Sequence, residues 1–138
     1  MERPGKVVTF KGRFLGIAVL VAVQFIIGVI HAVFGFAMLS GSFSVAALSV
    51  TPLVYSIYTS AYGSLTLLFT YLVWAGKRLG WIGTVTVSSF VILADALSVL
   101  DLLSVLGIPK FAALGEIPFS MLVIAYLLQP HVRSKYNI

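Results

Sequence analysis

Few side chains in this sequence can do chemistry, and those that can stand in apolar surroundings. The chain has four acids, and three of them, Asp95, Asp101 and Glu116, fall between Trp81 and Gln129. A carboxylate in hydrocarbon costs about 3 kcal/mol or more, so such a group faces a bundle interior and marks a functional site by default. Asp95 and Glu116 sit deepest in apolar sequence. His31, Tyr55 and Tyr58 are the polar groups from other apolar runs that can reach the same level. At 1.5 Å per residue, His31 lies roughly 25 Å and Asp95 roughly 20 Å above the basic end of their runs. Tyr55 and Tyr58 enter from the other side by roughly 5–10 Å, and Glu116 by about 8 Å. The five are expected to line one polar pocket opening outward, responsive to protons or cations. Asp101 lies nearer the outer headgroups, where solvation alone accounts for it.

The elements that position these groups follow from composition. Of 138 residues, 60% are hydrophobic and 9% charged, and the mean hydropathy is +1.10. A soluble domain carries about 25% charged residues, so lipid must be the solvent for most of this surface. A spanning helix needs about 20 apolar residues, which leaves room for four spans and short connections. The absence of cysteine excludes disulfides, thiolate metal sites and thiol catalysis.

The basic start, with Arg3, Lys6, Lys11 and Arg13, precedes an apolar run too long for a signal peptide. It reads as a retained first span, about 14–39. Gln24, Gly28, His31 and Gly35 share one of its faces, a small-residue face suited to close helix contact. After an uncharged connection at 40–50, Thr51-Pro52 opens a second span, about 52–75. Tyr55, Thr59, Tyr62, Thr66 and Thr70 form a hydroxyl stripe along it. In lipid such a stripe usually means helix–helix contact. Gln24, Gly28, Gly35, Tyr62 and Thr66 are the expected helix-packing residues.

A basic turn at 76–80 leads to a third span, about 81–106, with Thr84, Ser88, Asp95 and Ser98 near one face. Gly107-Ile108-Pro109-Lys110 reads as a turn. The fourth span, about 111–129, carries Glu116 with Pro118 two residues later, which permits a kink. Pro130 closes it. With four spans, one side holds Arg3, Lys6, Lys11, Arg13, Lys77, Arg78, Arg133 and Lys135, and the other Lys110 alone. The positive-inside rule then places both termini in the cytoplasm. The net charge of +5 lies at span ends, so the expected partner is anionic lipid headgroups rather than nucleic acid.

LDLLSVLGIPK, followed by a helix ending AYLLQPHVRSKY, resembles small four-span archaeal and bacterial membrane proteins of unknown function. The resemblance covers roughly the last 45 residues and implies the four-span fold.

The sequence thus predicts an all-α, integral membrane four-helix bundle, a single transmembrane domain in the cell membrane. His31 and His131 lie at different depths and cannot ligate one haem iron within a chain. No Glu-x-x-His pair, phosphate loop or nucleophile elbow is present, so no metal, cofactor or catalytic residue is expected. The first functional expectation is a non-enzymatic interaction module, as a homo-oligomer or a subunit of a larger membrane complex. The alternative is a small proton- or cation-responsive transporter or channel using Asp95 and Glu116. A weaker one is lipid or quinone binding through the second span's hydroxyl stripe.

Overall fold

A computed structural model describes residues 9–10, 13–41 and 50–138. Most of the basic N-terminal arm and most of the 40–50 connection lie outside the described residues. A two-rung antiparallel ladder, β1 (Thr9–Phe10) with β2 (Arg13–Phe14), precedes the helices and pairs Thr9 with Phe14. The rest is helical: α1 (Leu15–Leu39), α2 (Val50–Trp74), α3 (Arg78–Val99), a 3-10 turn (Ser104–Leu106), α4 (Lys110–Leu127) and α5 (Pro130–Lys135). Three helices, α1, α3 and α4, are long and apolar enough to cross a membrane, the mark of a helical membrane protein. Their large outward side chains, such as Phe25, Ile30, Val33, Phe90 and Leu122, are exposed, as lipid-facing surfaces require. α2 matches α1 in length at 25 residues, but its hydroxyl stripe dilutes its apolar character.

Close backbone approach organises the bundle. A Cβ on Gly63 of α2 would lie 2.8 Å from the Gly28 carbonyl oxygen and from Ala32 Cα of α1. Gly35 meets Ser60, Gly28 meets Leu67, Gly83 of α3 meets Phe69, and Gly80 meets Leu72 and Val73. Small residues at these crossings let two helices gain dispersion contacts where lipid supplies no hydrophobic drive. The Gly28/Gly35 face is therefore filled by α2 of the same chain. α1 also meets α4, through Gly16 against Tyr126 near one end and through His31 against Glu116 near the other.

Two helix ends explain departures from the expected bounds. α2 stops where Gly76, at φ +71°, lets its own N–H bond the Val73 carbonyl and that of Lys77 bond the Leu72 carbonyl, a Schellman closure. α3 closes the same way seven residues short of the expected Leu106. Asp101 takes φ 61°, and the N–H groups of Asp101 and Leu102 bond the carbonyls of Ser98 and Leu97. Asp tolerates the left-handed region better than most residues, so it ends the helix inside an apolar run. Pro130 does end α4, but it also opens α5 as its first residue, where its missing N–H costs nothing. The polar tail is consequently packed: Val132 and Tyr136 are buried with Ile17, Leu20, Val73, Val123 and Leu127, and the Tyr136 hydroxyl donates to the Val73 carbonyl at 3.0 Å. This apolar cluster closes the basic end. Ala94, Ile108 and Ala113, with Tyr55, Tyr58, Val99 and Leu106 against them, close the other. At the basic end the Trp81 indole N–H donates to the Leu127 carbonyl at 2.8 Å, clasping α3 to α4.

Candidate functional site

Between these two apolar clusters the interior is polar. Gln24, Thr59, Thr66, Thr70, Thr84, Ser88, Asp95 and Ser120 are all buried, and they come from all four long helices. The 3.6-residue period turns each stripe inward. Each side chain then meets the polar stripe of a neighbour instead of lipid.

His31 and Glu116 meet across the α1–α4 contact. His31 Nε2 stands 3.1 Å from Glu116 Oε1, with both side chains about four-fifths covered, at 19% and 21% exposure. On the other side of the ring, Nδ1 lies 2.9 Å from the Ile27 carbonyl oxygen, one turn back on α1. A carbonyl only accepts, so Nδ1 carries a proton. The contact at Nε2 then needs a second one. Either Nε2–H donates to a carboxylate, or a protonated carboxyl donates to a bare Nε2. In both cases one proton sits between the two groups, and the backbone carbonyl fixes the tautomer that makes this so. The Tyr62 ring stands edge-on to the imidazole, centroids 4.8 Å apart, and Tyr58 stacks on Tyr62 at 6.4 Å.

Asp95 has no exposed surface, and neither carboxyl oxygen has a hydrogen-bond partner. The Gly83–Phe69 and Gly80–Val73 crossings fix the antiparallel register of α2 and α3. Continued along the helices, that register brings Asp95 level with Tyr58, whose hydroxyl is likewise buried and unpartnered. Asp95, Glu116 and His31 lie within electrostatic reach of one another, and both acids act on Tyr55, Tyr58 and Tyr62. Burying a carboxylate without a partner costs several kcal/mol, which an arriving proton or small cation would offset.

The structure thus brings His31, Glu116, Asp95, Tyr58 and Tyr55 to one end of the bundle. Asp95 is fully enclosed, and Tyr55 and Tyr58 pack onto the apolar cluster at that end. Lys110 does not reach the buried acids. It pairs with Asp101 at 2.7 Å, in an exposed position. Gln24 is buried, but its carbonyl oxygen makes no interhelical bond. It lines a small interior cavity with Tyr62, Thr66, Thr84 and Ser88. Sequence reading had treated Thr84 and Ser88 as stripe residues only. Their four-residue spacing on α3, matched by Tyr62 and Thr66 on α2, was the available signal that two hydroxyl stripes meet. His131 is remote from the cluster, edge-on to Phe14 at 5.4 Å. Among the described residues, no three His, Asp or Glu side chains are grouped to hold a metal ion.

No protein-family model matches the chain, and no curated protein or solved structure proved similar to it.

Proposed function

We propose that this is a small multi-pass protein of the cell membrane whose interior takes up and releases protons, acting as the subunit of a homo-oligomeric transporter or channel. The observation that carries the reading is the 3.1 Å contact between His31 Nε2 and Glu116 Oε1, beside the unpartnered Asp95. Glu116 and His31 share the proton, and Asp95 is the second station, reached as charge moves between the two acids. No bond-making chemistry is assigned to any residue. In this reading an oligomer is the working form.

In this reading α2 also crosses the membrane. It lies between α1 and α3 and packs along both, and its hydroxyls turn inward. Four spans then gather the basic residues on the cytoplasmic side with both termini. Anionic headgroups are the partner of that side. An interaction module built on Gly28 and Gly35 has less support, because α2 occupies that face. Quinone binding through the α2 stripe has less support for the same reason.

The test is proton flux into liposomes that hold the purified protein and a trapped pH-sensitive dye, driven by a potassium diffusion potential. Flux above that of empty liposomes is expected, and Glu116→Gln, His31→Gln and Asp95→Asn are each expected to abolish it. Equal flux in the wild type and all three variants would refute the reading.

A further inference from the structure

The interior cavity beside Tyr62 is separate from the His31–Glu116 pair, neither of whose residues lines it. Gln24 of α1, Tyr62 and Thr66 of α2, Thr84 and Ser88 of α3, and Phe119 of α4 line it. It has about 10 Å³ of room for the centre of a water molecule, close to the minimum that admits one. Two of its polar groups are buried without a partner: the Gln24 carbonyl oxygen and the Thr84 hydroxyl. Gln24 is 5% exposed and Thr84 3%. A buried water makes about three hydrogen bonds, and this lining supplies that number. A water can donate to Gln24, accept from or donate to Thr84, and use Ser88 or Thr66 for its third bond. An apolar filler would satisfy none of these groups.

Tyr62 joins this cavity to the pair. It lines the cavity beside Thr66, and its ring packs edge-on to His31. We propose that one water occupies this cavity and that, with the hydroxyls of Thr66 and Tyr62, it relays protons to and from the His31–Glu116 pair. The occupancy stands on geometry alone, whereas the relay rests on the proton-uptake reading given above. Each hop balances. Tyr62 accepts a proton at its oxygen as it releases its own O–H proton onward, and the water does the same. One proton moves and every relay group ends as it began. Thr84 and Gln24 are positioning residues that hold the water.

The test uses the full chain, isotope-labelled, in lipid bilayers, by solid-state NMR with magnetisation transferred from water. Rapid transfer to the Gln24 side-chain amide is expected despite its burial. Transfer no faster than to a buried apolar residue such as Val91 would overturn the occupancy. Thr84→Val is expected to remove the transfer to Gln24 and to slow exchange of the His31 ring proton at Nε2 with water. Thr84→Ser, which keeps the hydroxyl, is expected to retain both. Tyr62→Phe leaves the water but breaks the relay, and is expected to slow His31 exchange by about a hundredfold, the usual worth of a positioned proton-transfer group. Unchanged His31 exchange in both Thr84→Val and Tyr62→Phe would overturn the relay. If Glu116→Gln left proton flux intact while the Gln24 signal persisted, the transport reading would fall and the hydration site would stand.

Discussion

Two glycine-to-alanine substitutions in similar helices are expected to change stability in opposite directions. At Gly115, on the exposed side of α4, an added Cβ meets nothing within 4 Å. Alanine there gains only the helix preference over glycine, about 0.5–1 kcal/mol. At Gly63 the same methyl would lie 2.8 Å from the Gly28 carbonyl oxygen and from Ala32 Cα. Ordinary contact needs about 3.5 Å, and these two obstacles and the still nearer Ala32 nitrogen are all backbone atoms of α1, which cannot rotate away. The two helices must part by more than half an ångström along their contact. Overpacking of this kind costs about 1–3 kcal/mol, which outweighs the alanine gain and leaves Gly63→Ala destabilised by about 1–2 kcal/mol. The gap between the two variants is then about 2 kcal/mol. Reversible unfolding in mixed micelles, with the denaturing detergent fraction as the variable, measures both on one scale. Because Tyr62 adjoins Gly63 and packs on His31, Gly63→Ala is also expected to weaken the His31–Glu116 contact and to lower proton flux. A Gly63→Ala protein as stable as Gly115→Ala would refute the close-packed α1–α2 contact that brings Tyr62 against His31.

Asp95→Leu is expected to abolish proton flux while raising unfolding stability by about 1–3 kcal/mol, since it replaces a buried, unpartnered polar group with an apolar one. A loss of stability would mean that the carboxyl has a structural partner. Trp81→Phe removes the indole hydrogen bond to the Leu127 carbonyl and is expected to cost about 1 kcal/mol, read in the same micelle titration. Tyr136→Phe removes the bond to the Val73 carbonyl. It is expected to cost a similar amount and to speed amide hydrogen exchange in α5, with α3 unaffected.

What could be read from the sequence was what repeats along a helix. Gln24, Gly28 and Gly35, and Tyr62 and Thr66, declare their shared faces by spacing alone, because burial in a bundle follows the 3.6-residue period. Apolar run length located the helices to within a few residues. Two kinds of feature escaped. The end of α3 depends on one backbone conformation at Asp101, which is set by local hydrogen bonds, while apolar residues continue on both sides of it as far as Leu106. The pairings depend on distance between elements far apart in sequence. His31 and Glu116 are separated by 85 residues. Depth counting could bring several acids and cations to similar levels, but not say that Glu116 would take His31 while Lys110 took Asp101. In the tail, conspicuous charges surround a short apolar face. Val132 and Tyr136, spaced one turn apart, carry the packing face of α5.

The two apolar clusters that close the bundle have an electrical consequence. A transmembrane potential falls most steeply where matter is least polarisable. In this bundle those places are the Ile17/Leu127/Tyr136 cluster at one end and the Ala94/Ile108/Ala113 cluster at the other. In the proposed reading, the file of hydroxyls and acids between them is a conducting path held between two insulators. A full crossing is worth about 2.3 kcal/mol per charge at 100 mV. A proton stepping from the cavity to Glu116 samples little of that, and a proton passing either cluster samples most of it. Voltage dependence of the proposed flux would therefore be set by Leu127, Tyr136, Ile108 and Ala113, which hold no place in the proton path itself.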